Sequence, residues 1–164
     1  MMHTCYLSIG SNLGNRILNC QQVIQELQPF VTLLTQSSFY ETEPWGYQDK
    51  NYYINAVIHV ETSLDPYTLL SKIKLIEENM GRSQKNPKLL YEARIIDVDI
   101  LFFDNLIIDT DDLIIPHPKM YNRNYVLMPF FELNPYFQCP STHKNITELL
   151  QECADKSEIA ICAE

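Results

Sequence analysis

Ile95-Ile96-Asp97-Val98-Asp99-Ile100-Leu101-Phe102-Phe103 is the stretch on which the fold turns. It reads as one strand, apolar along its length except for two aspartates, a residue type that strands disfavour. A helix precedes it. Asp65 is a good N-cap and Pro66 fits the first helical turn, where no N–H is needed. Leu69, Leu70, Ile73, Ile76 and Met80 then form one apolar stripe, and Gly81 can end the helix in the left-handed conformation.

Working back towards the start, residues 4–9 make a short apolar strand that a turn at Gly10-Ser11-Asn12-Leu13-Gly14-Asn15 ends. Ile17, Cys20, Ile24 and Leu27 recur at helical spacing as far as Pro29. Two strands are expected at 32–41 and 54–62, separated by an aromatic loop. Working forward, a turn at Asp104-Asn105 predicts a hairpin into Leu106-Ile107-Ile108, followed by a segment at 125–133 and a last helix near 147–154. The order strand, helix, strand, strand, helix, strand is the split pattern of a ferredoxin-like βαββαβ core. The expected class is α+β, a mostly antiparallel sheet with helices packed on it in three α-β-α layers. At 164 residues, without an internal linker or repeat, one domain over 1–164 is the default.

Composition narrows the function. A net charge of −9 disfavours nucleic acid as a partner, since its binders usually carry a basic surface. No run approaches the length of a membrane span, and Met1-Met2-His3-Thr4-Cys5 lacks the features of a signal peptide, so the expectation is a cytoplasmic protein. Five scattered cysteines without a C-x-x-C pair read as reduced thiols. Six of the twelve cationic residues lie between Lys72 and Arg94, and six acids follow between Asp97 and Asp112. That pattern suits an anion held together with its metal, or simply two solvated faces of opposite sign.

The chemistry centres on Asp97 and Asp99. Side chains alternate along a strand, so the two carboxylates share a face with origins ~6.6 Å apart. At an effective dielectric near 20 they repel by about 2.5 kcal/mol. Magnesium would offset this, because it takes one or two carboxylates together with waters and phosphate oxygens. The plain alternative is a pair of solvent-facing aspartates. The four glycines, Gly10, Gly14, Gly46 and Gly81, form neither G-x-x-x-x-G-K-[ST] nor G-x-G-x-x-G. Any nucleotide phosphates therefore need metal and side-chain cations, with Arg82, Lys85, Lys88, Arg94, Lys119 and Arg123 as candidates. His117, between Pro116 and Pro118, sits on a stiff backbone that can aim its ring. Trp45, Tyr47, Tyr52 and Tyr53, followed by Asn55, suit a flat heterocycle and its polar edge, or else a hydrophobic plug.

In this order the pieces resemble the 6-hydroxymethyl-7,8-dihydropterin pyrophosphokinase family of folate biosynthesis. The likeness runs from about Cys5 to about Pro135. It is carried by Gly10-Ser11-Asn12-Leu13-Gly14, Phe39-Tyr40-Glu41-Thr42 with Pro44 and Gly46, Tyr53-Ile54-Asn55, Glu77 with Gly81-Arg82, Arg94 through Leu101, and Pro116-His117-Pro118 with Asn122-Arg123. The resemblance implies transfer of pyrophosphate from ATP, the co-substrate, to the pterin's hydroxymethyl oxygen, with release of AMP. It places two Mg²⁺ ions on Asp97 and Asp99, and allows Asp99 to accept the alcohol's proton. It puts Arg82 and Arg94 on the phosphates during chemistry, and Glu77, His117 and Arg123 on the nucleotide side; Lys85 and Lys119, candidate phosphate cations by their charge, are expected to bind ATP beside them. Tyr53 and Tyr125 would sandwich the pterin, Asn55 would read its amide edge, and Thr42 and Trp45 would line the pocket. The chain departs from the pattern at Gln84, at Tyr91-Glu92-Ala93 and at Asp112, and Tyr91 could serve as a lid over the pterin. Small-molecule substrates and a monomer are expected, without nucleic acid or membrane. A palm-type nucleotidyl transferase or cyclase and a non-catalytic ferredoxin-like module are the competing readings, but neither accounts for the aromatic loop or for the segment from Pro116 to Arg123.

Overall fold

In the computed structural model, residues 1–42, 52–81 and 95–162 are described. A first strand β1 (His3–Ser11) leads to α1 (Arg16–Leu27), β2 (Thr32–Gln36), β3 (Tyr40–Thr42), β4 (Tyr53–Thr62), α2 (Pro66–Asn79) and β5 (Asp97–Phe103). Two short strands follow, β6 (Ile108–Asp109) and β7 (Ile114–Ile115), then α3 (Asn124–Leu133), α4 (Ile146–Glu152) and β8 (Ala160–Ile161). The main sheet has the order β5-β1-β4-β3-β8, with β2 also on β4, and its pairings are antiparallel. With β2 and β3 taken as one interrupted strand, this is the ferredoxin-like arrangement expected from the element order.

The pleat sorts each strand's residues onto two faces. Cys5, Leu7 and Ile9 of β1, Ile54, Ala56 and Ile58 of β4, and Val98 and Ile100 of β5 pack with Cys20, Val23 and Leu27 of α1 and Leu69 and Ile73 of α2. On the opposite face Tyr6, Val57 and Phe102 pack with Val126, Leu127 and Phe130 of α3 and Ile146 and Leu149 of α4. These are the three expected layers. Local signals fix the helix starts: Asp65 accepts from the amides of Tyr67 and Thr68, each at 3.0 Å, and Asn145 with Glu148 forms a reciprocal capping box on α4. Gly81 ends α2 at a φ of +96°.

The structure corrects four readings. The strand expected at 32–41 breaks in two, because the Ser37 hydroxyl accepts the Val57 amide at 2.9 Å and takes the place of a backbone carbonyl. The strand expected at 95–103 begins at Asp97. Gly10 and Ser11 continue β1 rather than ending it. The turn at Asp104 forms, but its outgoing chain does not pair back on β5. Asp104, at a φ of 48°, donates its amide to Thr4 and accepts the Thr4 amide on its carboxylate, which closes β5 against β1. Ile108 pairs with Ile115 of β7 instead.

Candidate active site

Helices α1 and α2 cover their face of the sheet, whereas the apolar contacts of α3 and α4 gather at one end of theirs. Towards the other end of that second face the side chains turn polar. The register sets Tyr40 of β3 opposite Asn55 of β4, Asn55 opposite Gly10 of β1, and Gly10 opposite Asp97 of β5. Four strands thus contribute one straight row. The next row runs Val57, Ser8, Asp99. Asp97 and Asp99 are half-buried and lie on the same side, as alternation requires. Asn55 stands two strands from Asp97, ~10 Å at strand spacing.

Gly10 has a specific task in this row. A Cβ there would fall 2.8 Å from Asn55 Oδ1 and 3.7 Å from Tyr53 Cδ1. The bare backbone leaves room for the Asn55 amide, which is buried and donates a long hydrogen bond of 3.4 Å to the Thr42 hydroxyl. Thr42 pairs with Tyr53 in the ladder, so Thr42, Tyr53 and Asn55 gather at one end of the face. A glycine inside a strand is itself a sign of close approach, and this signal was available in the sequence.

The outer edge of β5 is occupied from two sides. Glu77 of α2 is buried, and its Oε2 accepts the amide of Val98, the residue between the two aspartates, at 2.9 Å. From the other direction the His117 amide donates to the Leu101 carbonyl at 3.0 Å. This seats the imidazole beside Asp99, with Nε2 3.7 Å from Asp99 Oδ2. Burial pushes the His117 pKa down to about 4; Arg123 and Lys119 push the same way, and Asp97 opposes them. The ring is neutral at physiological pH, so its approach to Asp99 is a contact and not an ion pair. Its Nδ1 accepts the Lys119 amide at 3.2 Å, which leaves the proton on Nε2, facing the carboxylates. The Asp99 side chain is 32% exposed, so water or a ligand can reach it.

Tyr125, in the first turn of α3, closes the group. Burial raises its pKa; Arg123 lowers it, while Asp99, Asp97 and Asp155 add to the rise, so the phenol stays protonated. The Arg123 guanidinium lies 5.8 Å from the Tyr125 ring centroid, within cation–π range. Lys119 is exposed at the rim. Trp45, Arg82, Lys85 and Arg94, as well as Gln84 and Tyr91, lie outside the described residues. Beside the row, the Tyr40 hydroxyl donates to Glu132 Oε1 at 2.5 Å, and on the other face of β3 Glu41 Oε2 pairs with Arg16 Nη2 at 2.8 Å.

The donor set fits magnesium. Asp97 and Asp99 offer hard oxygens on one face of β5, both half-buried. Among the described residues no group of three or more His, Cys, Asp or Glu side chains could hold a metal.

The fold is α+β, with a polar row of carboxylate, amide and imidazole side chains on one half of a sheet face. The model of the 7,8-dihydro-6-hydroxymethylpterin-pyrophosphokinase (HPPK) family matches residues 6–135, and the chain belongs to that family. It is 36% identical over 162 residues to the 2-amino-4-hydroxy-6-hydroxymethyldihydropteridine pyrophosphokinase of Haemophilus influenzae, covering 98% of this chain and 99% of that protein. Against the enzyme of the same name from Bacillus subtilis the identity is 36% over 149 residues, covering 90% and 84%. Folic acid synthesis protein FOL1 of Dictyostelium discoideum is 38% identical over 138 residues, yet the chain spans only 20% of its length. Among solved structures, wild-type Plasmodium falciparum HPPK-DHPS superposes with a TM-score of 0.75 at 17% identity over 93% of this chain, and the match covers 45% of that longer chain. At that identity the likeness speaks for the fold. Among the described residues no helix is long and apolar enough to cross a membrane.

Proposed function

We propose that this chain carries out its family's reaction, transfer of pyrophosphate from ATP to the hydroxymethyl group of 6-hydroxymethyl-7,8-dihydropterin in folate synthesis, on the polar half of the sheet face. The observation that carries the reading is the register itself, which sets the Asn55 amide, the bare backbone of Gly10 and the Asp97 carboxylate in one row across three strands.

Asp97 and Asp99 would hold Mg²⁺, two ions in the family's pattern, and the metal would supply positive charge to neutralise the triphosphate. The alcohol oxygen bonds to the β-phosphorus, the bond between that phosphorus and the α–β bridging oxygen breaks, and AMP leaves with the electron pair. The proton of the alcohol passes to a nearby carboxylate, a role that the resemblance allows Asp99. His117 presents a neutral Nε2–H donor beside Asp99, and Arg123 with Lys119 supplies fixed positive charge on that side. Glu77 acts through the backbone it holds, fixing the strand segment between the two aspartates. Tyr53, Tyr125 and Thr42 enclose the pterin while Asn55 exchanges hydrogen bonds with its edge. Arg82, Arg94 and Trp45 keep the phosphate and pterin roles that the resemblance gives them, and Lys85 remains a candidate cation for the phosphates. Nothing in this set is a covalent nucleophile, and positioning with charge neutralisation is sufficient for such a transfer. The working unit in this reading is a cytoplasmic monomer, a single domain over 1–164, acting on small molecules.

Purified protein given ATP, Mg²⁺ and the hydroxymethyl dihydropterin should form AMP in step with pterin consumed. Formation of ADP or free pyrophosphate instead would contradict the reading.

A further inference from the structure

Helix α3 must place two site residues at its very start, Arg123 at the N-cap and Tyr125 in the first turn. The N-cap is where Ser, Thr, Asp or Asn normally accepts an orphan amide of the first turn. Arg123 cannot do this, and its side chain makes no capping hydrogen bond. The missing acceptor comes from far along the chain: Asp155 Oδ2 accepts the Asn124 amide at 3.1 Å. A carboxylate is well suited there, because the helix dipole is positive at that end.

Asp155 is itself held. Its Oδ1 accepts both the amide and the hydroxyl of Ser157. The Ser157 carbonyl in turn accepts from the Asn124 side chain at 2.8 Å, and Asn124 is a buried polar residue. The segment then runs on to β8, where Ala160 and Ile161 pair with Glu41 and Tyr40 of β3, and the Cys162 amide donates to the Phe39 carbonyl at 2.8 Å. Strand β3 carries Tyr40 and Thr42 on the site face. One short strap therefore ties together two walls of the substrate row, the first turn of α3 and the strand β3. The far end of α3 is pinned separately: Glu132 accepts from the Tyr40 hydroxyl and from the Ser38 amide. Only the near end, with Arg123 and Tyr125, depends on Asp155.

We propose that Asp155 is a positioning residue of the pterin site, which caps α3 from the carboxy-terminal strap and so fixes Tyr125 and Arg123 against the substrate row. The proposal rests on the reading of Tyr125 as a pterin wall given above. Burying a few more atoms with a strap would stabilise the fold generally, and that role predicts fewer active molecules with an unchanged affinity. Positioning predicts a change in KM.

The test is steady-state kinetics on the full chain. Asp155→Ala should raise the pterin KM about fivefold, the equivalent of the ~1 kcal/mol lost with a helix cap, and leave kcat within about twofold. Asp155→Asn keeps one acceptor oxygen and should recover most of that loss. An unchanged pterin KM in Asp155→Ala overturns the proposal, whatever its melting temperature. Should that variant not fold, Ser157→Ala, which loosens the carboxylate without removing it, must raise the same KM about twofold, and no change overturns the proposal equally. Tyr125→Ala separates the two levels. A raised KM there with none in Asp155→Ala sinks only the role of Asp155, whereas no change in Tyr125→Ala removes the pterin wall and the proposal falls with it.

Discussion

The two faces of the central sheet are made by the same strands and differ in what alternate residues were asked to do. On the α1–α2 face Cys5, Leu7, Ile9, Ala56, Ile58, Val98 and Ile100 form a continuous apolar surface under two helices. On the α3–α4 face the apolar contacts of Tyr6, Val57 and Phe102 give way, within a few residues, to Ser8, Gly10, Asn55, Asp97 and Asp99. The first face shows what the fold needs in order to exist. The second shows how much of a face can be released from that duty once the other is sealed. Residues one position apart on β5 thus sit in different surroundings: Val98 is packed in the core, while Asp97 and Asp99 are half-buried on the face to which the proposed function assigns the chemistry.

The sharpest way to break this comparison is to change one residue on each face. Asp99→Asn keeps shape and hydrogen-bonding capacity while removing the charge a metal needs, so turnover should fall by about 10³-fold or more with a far-UV spectrum like the parent's. A loss below tenfold would mean that the open face is not the reaction centre. Ile58→Ala, on the sealed face, should do the reverse: unfolding stability in urea should drop by about 2–5 kcal/mol while the KM of the remaining folded enzyme holds. Gly10→Ala adds a methyl group where Asn55 Oδ1 stands 2.8 Å away. The amide must then turn aside, and the pterin KM should rise about tenfold, the size of a lost buried hydrogen bond, with little change in melting temperature.

The smallest expected effect lies in acid stability. Burial works against ionisation of Asp155, yet the hydrogen bonds from Ser157 and Asn124 outweigh it and hold the carboxyl below its usual range. A carboxyl depressed in the folded state contributes stability that is complete above the unfolded value of ~3.9 and is lost as pH falls through the lower folded value. The stability gap between the parent and Asp155→Ala should therefore be constant near neutrality and narrow below about pH 4. A gap that widens on acidification would contradict the hydrogen-bonding account.

Much of this contrast was legible in the residues. Period-two alternation put Asp97 and Asp99 on one side, and Asp65, Pro66 and Gly81 bounded α2 through local rules. What stayed hidden depends on partners distant in the chain. No local pattern shows that Ser37 will take the Val57 amide and split a strand, or that Asp104 will close on Thr4 and send the following segment to β7. Gly10 itself was a visible sign of close approach, but the group that approaches, the Asn55 amide, lies 45 positions away, so the residue was read as part of a turn. The strap of Asp155 and β8 left no trace in hydrophobic period, since its contributions are single hydrogen bonds and a two-residue strand.

The central claim is that the paired carboxylates of the open face hold the metal-bound nucleotide. Titration calorimetry of ATP with Mg²⁺ into the parent and into Asp97→Asn/Asp99→Asn tests it most directly. The account predicts binding weakened by about 100-fold or more in the double amide, with the melting temperature unchanged or raised as the repulsion disappears. Equal affinity in the two proteins would contradict it.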